Sequence, residues 1–166
     1  MRVHPRIELD AAERAALKRK VLDLIQPPQT ATIVTRDERG LPRYRLMGGK
    51  VDEDFTYRLI SIRPSSKIDD LKRDPYLAAI FHYREVFNED NEEGVRFVVI
   101  TGEAELVETG AGIRALSNIL FPHHLDDETI QRTRCGIILH PTLVRVEGFM
   151  PGSRYPVYFR PREERR

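Results

Sequence analysis

Between Thr30 and Phe149 the chain returns repeatedly to short runs rich in Val, Ile, Thr and Tyr, with turn residues between them. A period of two puts successive side chains on opposite faces of a strand, so each run offers one face to a core. At least six such runs occur, mostly joined by tight turns, and an open sheet of that size would expose its edges. One antiparallel barrel-like sheet with peripheral helices hides them, so a mainly β (α+β) chain of six or more strands is expected.

The runs follow in order. TATIVTR (30–36) leads through DERG into LPRYRLMGG, and Gly40 supplies a position where positive φ costs little, which predicts a hairpin. In the second strand Arg43 and Arg45 share one face, with Tyr44 and Leu46 on the other. FTYRLISIR (55–63) is the third strand, with Phe55, Tyr57, Leu59 and Ser61 on one face. PYLAAIFHY (75–83) is apolar enough to be central, and VRFVVITGEAELVE (95–108) is long, with Gly102 marking a bend or bulge. GIILHP and TLVRVEGF read as two short runs about a break at His140 and Pro141, and SRYPVYFRP as an edge strand or a partner contact.

Helices are expected at three points. DAAERAALKRKVLDLI opens at Asp10 as cap, carries an apolar stripe of Leu17, Val21, Leu24 and Ile25, and closes at Pro27 and Pro28. SSKIDDLKR follows the third strand, with Ser66 as the expected N-cap, Asp69 at the reciprocal position, and Asp74–Pro75 as the stop. TGAGIRALSNIL (109–120) sets Ile113, Leu116 and Leu120 on one side, and 121–135 reads as loop with a helical turn or two. No repeat or linker divides the chain. One domain over 1–166 is expected, with a helix at about 10–25, a barrel at about 29–150 and a tail at 151–166.

Charge and cysteine usage narrow the classes. Lys and Arg total 27 against 26 acidic residues, a formal charge of +1 that gives no argument for nucleic acid. Arg154, Arg160, Arg162, Arg165 and Arg166 crowd the C-terminus, and EVFNEDNEEG (85–94) is an acidic loop. Cys135 is alone, which suits a reducing compartment. No signal-like or membrane-spanning run is present, so no membrane partner and a cytoplasmic location are expected.

Dedicated catalytic motifs are missing. There is no G-x-G-x-x-G after a strand, no G-K-[ST] and no H-E-x-x-H; His123 and His124, being adjacent, chelate poorly, and no metal is expected. His82, late in an apolar strand, reads as a hydrogen-bonded structural histidine. What recurs is cationic and hydroxyl side chains around one place. Lys67 lies in a first helical turn, beside unpaired N–H groups and downstream of Arg63, a combination that suits a phosphate but also occurs in plain capped helices.

TATIVTRDERGLPRYRLMGG, the strand ending at Arg63, SSKIDDLKRDPYLAAIFHY, the GEAELV strand and IILHPTLVRVEGF stand in an order that resembles the flavin-binding split barrel of the pyridoxamine 5′-phosphate oxidase-like superfamily, over about residues 27–150. Ser65, Lys67, Leu71, Asp74 and Pro75 meet its S-x-K-x-x-x-L-x-x-[ND]-P signature. The resemblance implies a split β-barrel and a homodimer with a cofactor in each of two clefts between subunits. It places Arg43 and Arg45 on the strand contributing phosphate and ring contacts, Ile60, Ser61, Ile62 and Arg63 along the isoalloxazine, and Ser65, Ser66 and Lys67 in the phosphate turn. His82 and Tyr83, ending the next strand, are expected to approach the cleft from either subunit.

The chain departs from the oxidase itself in having no tryptophan and in ending soon after SRYPVYFRPREERR. Relatives bind FMN, the 5-deazaflavin coenzyme or haem. FMN is expected first, because one terminal phosphate suits a compact site with Lys67 and Arg63. The implied function is a flavin-dependent oxidoreductase of an unnamed small molecule, with no side chain assigned as catalytic. A non-catalytic flavin or haem carrier is the alternative.

Overall fold

The computed structural model of the chain describes residues 7–84, 95–120, 125–150 and 155–161; the acidic loop 85–94, His123 and His124, and the arginines at 154, 162, 165 and 166 lie outside them. Among the described residues seven strands and four helices follow in the order α1 (Ala11–Ile25), β1 (Gln29–Arg36), β2 (Pro42–Val51), β3 (Tyr57–Ile62), α2 (Ser66–Arg73), β4 (Tyr76–Arg84), β5 (Val95–Val107), α3 (Gly110–Leu120), α4 (Asp127–Thr133), β6 (Arg134–Glu147) and β7 (Val157–Phe159). All pairings are antiparallel. The sheet runs β3-β2-β1-β4-β5-β6-β7, and β3 also pairs with β6, which closes a six-stranded barrel with β7 appended.

The alternating runs fill that barrel as their period requires. Ala31, Ile33, Leu59, Ala79, Phe81, Val98, Ile100, Ile137 and Leu139 point inward and are buried. Tyr57 meets Phe81 edge-on at 5.4 Å and spends its hydroxyl on the Met47 carbonyl, 3.1 Å away, so a large polar-tipped ring sits in the core with its donor satisfied. Helix α1 adds Leu17, Val21, Leu22 and Ile25 to the same core. Its N-terminus has the full capping box, Asp10 accepting from the Glu13 amide and Glu13 accepting from that of Asp10. Leu22 is buried where the stripe was drawn through Leu24, which is only partly covered.

Three local expectations need correction. The third strand begins at Tyr57, because Phe55 adopts φ 66 in the preceding turn, its buried ring packing on Phe159 at 5.6 Å. Helix α2 is capped in position by Ser65, not Ser66. The two runs about His140 and Pro141 are one continuous strand, β6. The irregularity falls where Gly102 was expected to mark a bulge: the β5–β6 register shifts between Thr101 and Gly102. A Cβ at Gly102 would stand 1.9 Å from the His140 carbonyl oxygen, so only glycine lets β6 cross there.

Three further expectations are met. The 30–49 hairpin turns at Gly40 (φ 77), with Asp37 Oδ1 accepting from the amides of Arg39 and Leu41. The helical turn or two expected within 121–135 is α4, with Asp126 accepting from the Thr129 amide. The tail supplies an edge strand, β7, paired to β6. No helix of the described residues is long and apolar enough to cross a membrane.

Candidate functional site

The β2–β3 ladder stops at Gly49↔Leu59, although β2 starts seven residues earlier, at Pro42, and β3 runs on to Ile62. Beyond that pair the two strands separate, and the opening of α2 reaches both arms of the fork. Lys67 extends its ammonium to Ser61 Oγ on β3 (3.0 Å) and to Ser65 Oγ (2.8 Å). Arg45 on β2 reaches Ser66 Oγ at 2.9 Å. Ser65 stands at the N-cap with extended dihedrals, yet its side chain makes no cap hydrogen bond. Its hydroxyl accepts from Lys67 instead, so the first turn of α2 keeps its positive end open.

Behind this opening lies a carboxylate that the sequence reading passed over. Asp70 is 1% exposed and is buried in α2 along with Ile68 and Leu71. Its Oδ1 accepts from Arg43 (3.3 Å) and Arg73 (3.0 Å), and its Oδ2 from Thr35 Oγ1 (2.9 Å) and Arg45 (3.2 Å). Burial alone would raise this carboxyl, but donation from Thr35, Arg73 and Arg45 and the charge of Arg43 hold it below its ordinary range. A carboxylate with a depressed pKa adds stability that is complete above the ordinary carboxylate range and is lost as pH falls through it. Thermal melts of the wild type and Asp70→Asn should therefore differ most near neutrality and converge in acid. A gap that stays constant with pH would mean the carboxylate's charge is not what matters.

Arg43 and Arg45 thus share a face as expected, but neither is free: Arg43 is divided between Asp70 and Glu38 (3.1 Å), Arg45 between Asp70, Thr35 (2.7 Å) and Ser66. Lys67 is engaged too, among the described residues by hydroxyls only. Its pKa is lowered, first by burial and then by the charge of Arg45, as befits two cations flanking one spot. Arg63 turns away from the opening. It pairs with Glu108, which also accepts Lys72 at 3.1 Å, and its Nε is buried without a hydrogen-bond partner among the described residues.

The remaining candidates divide by strand parity. Ser61 points inward and is buried; Ile60 is half-buried and Ile62 is 63% exposed on the outer side. His82 and Tyr83 leave β4 on opposite faces, at the end paired with the start of β5, while α2 joins β4 at its other end. The Tyr83 hydroxyl donates to the Leu24 carbonyl and meets Gln29 Oε1, and exposed His82 stacks on Phe97 at 4.7 Å. Neither reaches the α2 opening within one chain. Asp70, Thr35, Arg73 and Glu108 were missed, and no local signal marks Asp70 as buried.

A model of the pyridoxamine 5′-phosphate oxidase family matches residues 17–147. Among solved structures, one similar chain is a Clostridium acetobutylicum protein related to general stress protein 26 of B. subtilis, of the pyridoxinephosphate oxidase family (TM-score 0.65, 14% identity, 89% of this chain and 96% of that one). A heme binding protein from Mycobacterium smegmatis is similar over 96% of this chain and 60% of its own (TM-score 0.62, 15% identity). An F420 reductase is similar over 73% of this chain and 92% of its own (TM-score 0.52, 21% identity). No curated protein matches the chain.

Proposed function

The chain belongs to the pyridoxamine 5′-phosphate oxidase family, and from that membership we propose a flavin-dependent oxidoreductase that binds FMN at the opening of α2 and acts on a small-molecule substrate. One observation carries the reading. An eight-residue helix opens without a side-chain cap, beside a half-buried ammonium that meets only hydroxyls among the described residues. An uncapped helix start with an unneutralised cation is a place for a phosphate. Ser65, Ser66 and Lys67 would hold that phosphate directly, with Arg45 at its flank. FMN supplies the redox chemistry when bound; the chain's part is to bind, orient and exclude water. Arg63, spent on Glu108, is a weaker candidate here than its charge suggested.

The active unit in this reading is a homodimer. Tyr44 and Leu46 on the outer face of β2 are 65% and 74% exposed. Strand register sets Leu46 beside Thr32, Thr32 beside Ile80 and Ile80 beside Val99 across β2, β1, β4 and β5. A second copy on this face would bury a wide apolar row and bring a partner's surface beside the fork.

A deazaflavin coenzyme is the second reading, favoured by the likeness to the F420 reductase, and haem binding a third, by the likeness to the heme binding protein. Titrating the purified chain with FMN, deazaflavin and haemin decides among them. FMN is expected to bind and to show an oxidised-flavin spectrum perturbed from that of free FMN. Tight deazaflavin binding with no measurable FMN binding would reverse the order, and a Soret band with neither flavin bound would replace it.

A further inference from the structure

We propose that Asp70 is a positioning residue that holds Arg45 against the opening of α2, and that it thereby sets how strongly the site prefers a flavin with a phosphate over one without. The inference rests on the FMN reading above.

Arg45 comes from β2 and Ser66 from α2, so nothing local in the chain keeps them together. Asp70 and Thr35 do. Arg45 Nη1 donates to Thr35 Oγ1 at 2.7 Å, and Nη2 to Asp70 Oδ2 at 3.2 Å and Ser66 Oγ at 2.9 Å. Thr35 is itself oriented by donating to the same Asp70 oxygen at 2.9 Å, and it is fully buried. The guanidinium is therefore gripped by a threonine–carboxylate pair, and Nη2, the nitrogen that meets Asp70, also meets the first residue of α2. A guanidinium has five N–H donors, and these three acceptors leave some of them for an incoming anion.

Asp70 has a second possible role, that of an internal anion competing with the phosphate for the same arginines. The geometry favours positioning. The carboxylate is 1% exposed, on the inner side of α2, whereas Ser66 is exposed and Lys67 half-buried at the opening. Three guanidinium groups on one carboxylate also leave the cluster cationic, so holding Arg45 does not cancel its field. Asparagine at position 70 keeps the shape but presents an amide N–H₂ to a ring of donors, which pushes Arg45 out of register.

The test compares dissociation constants for FMN and riboflavin in the full chain for wild type, Asp70→Asn, Arg45→Gln and the double variant. Wild type should prefer FMN. Asp70→Asn is expected to weaken FMN about tenfold, the scale of one charge-assisted hydrogen bond, and to change riboflavin by less than about twofold. Since Asp70 acts through Arg45, the double variant should bind FMN no worse than Arg45→Gln alone. A purely structural Asp70 would weaken both ligands together. FMN binding that is unchanged or tighter in Asp70→Asn overturns the proposal, as does a loss fully additive with that of Arg45→Gln. If Asp70→Asn does not fold, Asp70→Glu takes its place: one methylene of displacement should lower the FMN-to-riboflavin preference about threefold, and an unchanged preference overturns the proposal equally. A wild type that does not distinguish FMN from riboflavin removes the phosphate reading and this inference with it. A wild type that does, with a preference Asp70 leaves untouched, removes only the inference.

Discussion

Leu46→Asp is expected to turn a dimer into a monomer and to weaken FMN binding with it. Leu46 is 74% exposed on the outer face of β2, so the substitution leaves the folded chain's own packing alone. In a two-fold interface every substitution appears twice, and like charges brought together in a buried patch cost several kcal/mol. About 4 kcal/mol raises a dimer's dissociation constant roughly a thousandfold. Light scattering at micromolar concentration should give about twice the 19.3 kDa chain mass for the wild type and the single mass for the variant. The melting temperature of the monomer should stay close to that of Tyr44→Ser, a milder change on the same face. A wild type that is monomeric and still binds FMN would remove the shared cleft; a variant still dimeric would move the interface to another face.

Lys67→Ala is expected to weaken FMN by roughly ten- to a hundredfold, since one charge-assisted contact is worth about 1.5–3 kcal/mol. Riboflavin, without the phosphate, should bind the variant nearly as it binds the wild type. The lysine is not the free head that its sequence position suggested: it spans Ser61 on β3 and Ser65 before α2. Removing it releases two hydroxyls, and buried Ser61 keeps its bond to the Ile62 carbonyl at 3.0 Å. The loss in melting temperature should therefore be small beside the loss in FMN affinity. Equal weakening of riboflavin and FMN, or a melted apo-protein with unchanged FMN affinity, would make the lysine a structural tie and put the phosphate elsewhere.

Local pattern carried a good deal of this architecture. Alternation at Arg43, Tyr44, Arg45 and Leu46 assigned both faces of β2, and the Gly102 signal lay where β5 and β6 lose register. It could not carry the closure of the barrel, because β3 meets β6 through pairs such as Tyr57↔Leu139 that no local window contains. Nor could it separate Ser65 from Ser66 as the cap position, since both are good N-cap residues and the helix begins where tertiary contacts fix it. Asp70 was hidden for a related reason. In a short helix with this many charges an aspartate reads as solvated, and only the fold brings Thr35, Arg43 and Arg45 around it. For the adjacent pair His82 and Tyr83, strand parity alone sends the two side chains to opposite faces of β4.

The fork between β2 and β3 also bears on how the chain behaves among its own kind in a crowded solution. Past Gly49↔Leu59, toward Pro42, β2 has β1 on one side and, among the described residues, no strand on the other. A bare strand edge of that length is a template on which a neighbouring molecule can lay a strand of its own. Pro42 contributes no N–H there, and Arg43 and Arg45 put two cations along the segment. Arg45, at the flank of the proposed phosphate site, thus also discourages edge-to-edge stacking. Neutralising both arginines would weaken this protection of the edge.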